Sequence, residues 1–219
     1  MSSESGAQIA APAPEREKAM KGSSHALIAS GLCACLVLLF AVPIFAQGPP
    51  PKAPSPILVS SCGQSPGPLK LTVFLKKLQI PFDYKSEATA QDLAGKKYKS
   101  VIIVTGASLK GMGAAGVSIK EELARTAALI VEAKKQGVMV IGAHVEGMER
   151  RAQGAAPGDN SDELSIDAVC QAAQFMIVRK EGDYDGRFTT IAKTRKIPLL
   201  LFEKNIPELK DLLTTTFAK

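Results

Sequence analysis

Four short runs in this chain are almost entirely apolar: "KSVIIVT" (99–105), "VMVIGAH" (138–144), "FMIVR" (175–179) and "PLLLFE" (198–203). Each has the length of a strand, and segments of helical periodicity separate them. A strand that is apolar on both sides must be covered on both faces. A parallel sheet with helices on either side does this, because each crossover lays a helix across the sheet. "ILVSS" (57–61) and "FDYK" (82–85) read as two further strands. Helices are expected at 69–79 and 89–94. The clearest helix lies between the third and fourth strands, where Ser118 and Glu121 form a capping box. Ile119, Leu123, Ala127, Ile130 and Val131 mark its apolar stripe, Lys134 and Lys135 its last turn and Gly137 its end. The last helix repeats the logic, with Asn205 as cap and Pro207 and Glu208 in its first turn. The pattern predicts an α/β fold: a three-layer, doubly wound, mostly parallel sheet of about six strands with right-handed crossovers. A Rossmann-like order 3-2-1-4-5-6 and a flavodoxin-like order 2-1-3-4-5 with an added edge both fit.

The N-terminal region, 1–46, has a different character. Its stretch 26–46, "ALIASGLCACLVLLFAVPIFA", holds no charge and is long enough to span a bilayer. It also reads as the core of a signal peptide, with Ala46 before a cut. Lys18 and Lys21 precede it and favour a cytoplasmic N-terminus. A start at Met20 would give a compact basic head, and translation is expected to begin there. "LCAC" is a faint lipoprotein signal, but the apolar run continues well past it. Residues 47–56, "QGPPPKAPSP", read as a stiff, solvated linker. A single domain, 57–219, remains, long enough to bury a core unaided. The protein is therefore expected to be exported, either periplasmic or anchored in the cytoplasmic membrane through 26–46 with the domain outside.

The formal net charge is +6. The basic residues are spread along helices and aromatics are only 5%, which argues against a nucleic-acid reader. A small anionic molecule remains as a partner; a protein partner is not legible. Of four cysteines, only Cys62 and Cys170 reach the domain. An oxidising compartment would permit a bridge between them. A small buried thiol is the commoner role for Cys170, inside an amphipathic helix.

"TGASLKGMGAAG" (105–116) looks like the dinucleotide turn of short-chain dehydrogenases. Three features oppose that. Four residues, 107–110, separate Thr-Gly from Gly-x-Gly, where that turn has three. The stretch follows the third strand instead of the first. Tyr84, Tyr98 and Tyr184 all lack a lysine four positions on. An exported protein also meets little nicotinamide cofactor, and no cofactor is expected. Gly111, Gly113 and Gly116 could still expose amides to an anion, with Lys110 adding charge.

In such folds ligands bind beyond the carboxyl ends of the strands, where strand order reverses. "SCGQSPGP" (61–68), with Gly63, Gln64 and Ser65, borders that crevice in either order. His144 ends a strand and is the domain's only histidine; Glu146, Glu149, Arg150 and Arg151 follow it. One histidine excludes multi-histidine zinc sites, and no metal is expected. Arg150 or Arg151 could grip a carboxylate or phosphate in a fork. Ser161 reads as a helix cap with Asp162 and Glu163 in the first turn, and Asp162 as a partner for Arg151. Cys62 is a candidate nucleophile with His144 as its base. "GDYDG" (182–186) has turn chemistry, and its carboxylates could hold a cation.

"LKGMGAAG", "HVEGMERR" and "SDE" together resemble an exported bacterial family known only as a domain of unknown function, number 6305. The matching positions are Ser108, Lys110, Gly111, Gly113, Ala114, Ala115 and Gly116, then His144, Gly147, Arg150 and Arg151, then Ser161 and Asp162; Gly63 to Ser65 also fit. "RAQGAAPGDN", before Ser161, is longer than that pattern. The resemblance implies export and an α/β fold and brings no activity with it. The leading expectation is a domain binding a small anionic solute through Gly63, Gln64, Ser65, Ser108, Lys110, Gly111, Gly113, His144, Arg150, Arg151 and Asp162. A hydrolytic enzyme using His144 as acid or base is the alternative, and a non-catalytic accessory subunit of a membrane complex is a third.

Overall fold

The computed structural model describes residues 50–95, 98–151, 158–203 and 206–217, with the side chain of residue 206 excluded. The apolar run 26–46, most of the long segment before Ser161 and the expected cap Asn205 lie outside them. No helix among the described residues is long and apolar enough to cross a membrane.

Six strands form one sheet: β1 (Ile57–Cys62), β2 (Phe82–Tyr84), β3 (Ser100–Thr105), β4 (Met139–His144), β5 (Phe175–Arg179) and β6 (Leu199–Phe202). Every pairing is parallel and the order is β2-β1-β3-β4-β5-β6. This is the flavodoxin-like order with β6 as the added edge. β1 and β3 are buried along their whole lengths. Their side chains alternate between two cores. Ile57, Val59, Ile102 and Val104 meet Leu71 and Leu75 of α1 (Gly67–Lys77) and Leu209 and Leu213 of α7 (Ile206–Thr216). Leu58, Val101 and Ile103 face the other layer, which holds α2 (Ala90–Leu93), α4 (Ile119–Lys135) and α5 (Ser161–Cys170). α6 (Arg187–Arg195) covers β5 and β6 on that side. The short α3 (Leu109–Ala115) lies at the carboxyl ends of the strands.

Two expectations need correction. α4 buries Glu122, Thr126, Leu129, Ile130 and Ala133, while Val131 is 66% exposed. The helix is rotated from the purely apolar stripe because Glu122 has polar partners inside. The expected linker is also shorter. Ala53 is buried and its N–H donates to Thr216 O at 2.8 Å, Ser100 Oγ donates to Pro54 O at 2.6 Å and Lys99 N–H to Pro56 O at 2.9 Å. From Lys52 onward this proline-rich segment therefore belongs to the domain.

Candidate functional site

Strand order reverses between β1 and β3, so the loops after these two strands flank the crevice. They are zippered together. Gln64 bridges Ala107 in antiparallel fashion, and Ser108 N–H donates to Gly63 O at 2.7 Å. Gln64 takes φ 55° and Gly63 φ 101°. A Cβ on Gly63 would stand 2.7 Å from Ala107 Cα, and one on Gly111 only 2.1 Å from Gln64 O. Glycine at both positions lets backbone touch backbone.

The glycine-rich stretch is therefore not an open anion loop. Gly111 and Gly113 lie inside α3, where Ser108 is the N-cap and accepts from Gly111 N–H at 3.0 Å. Gly116 closes the helix in the left-handed region. Lys110 is exposed and pairs with no carboxylate among the described residues.

Carboxylates of the chain itself already occupy the amides that line the crevice. Gly63 N–H donates to Glu122 Oε2 at 2.8 Å, Gly67 N–H to Glu146 Oε2 at 2.9 Å and Ala107 N–H to Asp162 Oδ1 at 2.5 Å. Gly106 N–H donates to Ser165 Oγ at 2.9 Å. Gln64 Nε2 adds a second donor to Glu122 at 2.9 Å. Arg125 forks onto Glu122 and reaches Ser61 O and Ala88 O at 2.6 Å each. Glu122 and Glu146 are fully desolvated, yet each meets a cation or amide, as a buried charge must. Ser65 is buried and its Oγ accepts from Gly67 N–H at 3.3 Å.

Arg150 and Arg151 part company, as neighbours with opposed directions must. Arg150 lies over Gly106 and brings Nε to 3.5 Å from Glu146 Oε1, where Lys70 Nζ also arrives at 3.6 Å. Arg150 Nη1 donates to Ala107 O at 3.4 Å. Arg151 is instead a buried clamp. It donates to Gly182 O, pairs with Asp185 at 2.6 Å and Glu163 at 3.3 Å, and stacks under Tyr184 at 4.9 Å. Its expected partner Asp162 is not among these contacts. Asp162 serves Ala107, and burial, followed by the nearby Glu163, raises its pKa to about 6 against the pull of the Ala107 hydrogen bond. Ser161 is the first residue of α5 and Asn160 the cap. The "GDYDG" carboxylates are taken too: Asp183 caps α6 through Phe188 N–H at 2.8 Å and Asp185 holds Arg151.

His144 has no exposed surface. Its Nε2 is 3.0 Å from Gly147 O, which can only accept, so Nε2 carries the proton. Nδ1 lies 3.2 Å from Thr105 Oγ1, whose single proton is shared between this nitrogen and Ala143 O, also at 3.2 Å. Burial, helped by the Arg151 charge, lowers the ring's pKa to about 4. Gly182 lies against the ring, with room for no side chain. Cys62 ends β1 inside the core, and desolvation pushes its thiol up to about 11, the wrong direction for a nucleophile. Cys62 and Cys170 are both free, buried thiols. No group of three His, Cys, Asp or Glu side chains is placed to hold a metal among the described residues.

The structure thus brings Gln64, Lys110, Arg150 and Asp162 to one rim and puts His144, Arg151 and Cys62 beneath it. Glu122, Arg125 and Ser165 were missed, and Glu146 was noted only as a neighbour of His144. The signal for Glu122 was available: an acid on the inner face of an amphipathic helix, with an arginine three positions on. Away from the rim, a cleft of about 250 Å³ opens between Leu78, Ile80, Pro81 and Phe217, at the amino ends of the strands.

The model of the family described as a domain of unknown function (DUF6305) matches residues 54–217. No curated protein matches. Among solved structures, a flavodoxin from the domain Archaea is 8% identical, with 73% of this chain and 92% of that one covered and a TM-score of 0.30. A mutant of the esterase AlinE4 is 15% identical, with 74% and 79% covered and a TM-score of 0.27.

Proposed function

We propose, for a chain that belongs to the DUF6305 family, an exported domain that binds a small anionic solute, of carboxylate type, at the rim between β1 and β3. One observation carries the reading: amides of both rim loops already hold carboxylates, and of these Asp162 is the one left partly exposed. Glu122 and Glu146 are sealed in. Asp162 is only part-buried and is raised in pKa to about 6, chiefly by burial, so its charged form is held at a cost. A solute carboxylate that replaced Asp162 at Ala107 N–H would meet Arg150 beside it. Lys110 would supply further charge from the first turn of α3. The hydrolytic alternative draws no support from a buried His144 whose two nitrogens are both engaged.

The reading makes a test with opposite signs. Acetate, citrate and inorganic phosphate are each titrated against the protein while its melting temperature is followed. Lys110→Ala and Arg150→Ala should weaken any stabilisation. Asp162→Ala should strengthen it, because the internal competitor is gone. At a hundredfold excess over Kd the full effect is worth about 2.7 kcal/mol. No shift with any anion, or an Asp162→Ala protein that binds like the parent, overturns the proposal.

A further inference from the structure

The end of the sheet opposite the rim is built from the last turns of the helices and the segments that lead into the strands. Hydrogen bonds fix this assignment: Ile57 N–H donates to Pro81 O, Lys99 N–H to Pro56 O, Met139 N–H to Lys99 O and Met176 N–H to Pro198 O. Basic residues gather there. α1 ends in Lys76 and Lys77, α4 in Lys134 and Lys135, and α6 in Lys193 and Arg195, followed by Lys196. Lys52 and Lys99 stand between them. All nine are exposed. Glu132, in the last turn of α4, pairs with Lys135 at 3.6 Å; of the other described carboxylates nearby, Asp83 at the start of β2 accepts from Tyr98 Oη–H at 2.7 Å and Asp167 in the last turn of α5 pairs with Arg187 at 2.7 Å. The remaining eight basic residues make no ion pair with a described residue.

Helix dipoles account for a cation in each last turn. They do not account for Lys52 and Lys99, which lie outside any helix. The chain also enters the domain at this face. Ala53 is fixed to Thr216, and the five residues 47–51 between Lys52 and the apolar run 26–46 reach at most about 18 Å when extended. That is about two Debye lengths at physiological salt. The cleft between Leu78, Ile80, Pro81 and Phe217 opens on this face, beside the end of α1 and the segment that carries Lys52.

We infer that this basic face is a docking surface for an anionic lipid bilayer, joined by a short tether to the apolar run and turned so that the opposite rim points away from the membrane. The inference stands apart from the proposed solute site. Surface lysines near a charged bilayer add to affinity roughly independently, each worth about fivefold in partitioning.

The described residues from 50 to 217 form one compact unit with its own core, so the test uses the chain from Gln47. It is sedimented with vesicles of phosphatidylcholine alone and of phosphatidylcholine and phosphatidylglycerol in equal parts. Retention is expected on the mixed vesicles only, and it should vanish at salt where the Debye length is about 3 Å. K134E with K135E, and separately K193E with K196E, should each lower partitioning at least tenfold. The rim variant K120E with K180E carries the same change in net charge and should retain nearly full binding. Equal loss from the rim pair shows an effect of net charge alone and overturns the proposal. So does absence of binding to the mixed vesicles, or binding of single-stranded DNA in preference to them. Circular dichroism of each variant separates lost docking from lost fold.

Discussion

At the carboxyl ends of the strands α4, α5 and α7 begin with carboxylates; at the amino ends α1, α4 and α6 end in basic residues. Both follow from one rule, since every long helix runs against the strands and presents its positive pole to the rim. The two ends use their charge differently. Glu122, Glu146, Asp162 and Asp183 turn inward and accept from backbone amides. Lys76, Lys134 and Lys196 point outward and pair with no carboxylate among the described residues. The rim is a folded polar network and the opposite face a field. A network fails when one member is removed; a field weakens gradually.

Substitution is the strongest way to break this contrast. Arg151→Met removes the cation that Asp185, Glu163 and Gly182 O share, and should lower stability by about 3–5 kcal/mol in urea titration. Lys134→Ala at the other end should change it by less than about 0.5 kcal/mol. Equal costs would dissolve the distinction.

The next effect depends on pH. His144 has its pKa lowered, mainly by burial, from 6.5 to about 4. The contribution of the neutral ring is complete above about pH 6.5 and is lost as pH falls through about 4. On the order of 3 kcal/mol is at stake, and a His144→Gln protein should lose that part of its acid sensitivity. The amino-end lysines do not titrate in this window, so charge variants there should leave the curve's shape intact.

Two glycines of one short helix should then answer with opposite signs. Gly111→Ala puts a Cβ against Gln64 O and should cost about 1–3 kcal/mol. Gly113→Ala meets nothing within 4 Å and should gain about 0.5–1 kcal/mol from reduced backbone freedom. If both destabilise alike, the close approach at Gln64 is not what requires glycine.

The smallest effect is at Asp162. Its pKa is raised from 3.8 to about 6 by burial, so its share of stability is complete below about pH 4 and is lost as pH rises through 6. After discounting for its partial exposure this is roughly 1 kcal/mol, opposite in sign to the His144 effect. Asp162→Asn should remove it, as read from stability at pH 4 against pH 7.

Much of the fold was legible because each strand and helix carries its own periodicity. The apolar runs of β3, β4 and β5 fix strands buried on both sides, and Ser118 with Glu121 fixes the start of α4. The site was legible only as a place. "GQS", "LKGMGAAG" and "HVEGMERR" do meet at one rim, but the roles of their residues were not readable. Periodicity says which face of a helix turns inward. It does not say that Glu122 will find Gly63 N–H, fifty-nine residues away in sequence.

The sequence by itself therefore determined the layered α/β class, the six strands and the basic last turns, because these rest on local spacing and on charge near a helix end. Only the tertiary structure decided the order 2-1-3-4-5-6, the burial of His144 and Arg151 and the capture of the rim amides by internal carboxylates. These depend on long-range contacts, where a polar group's partner is set by which strands end side by side.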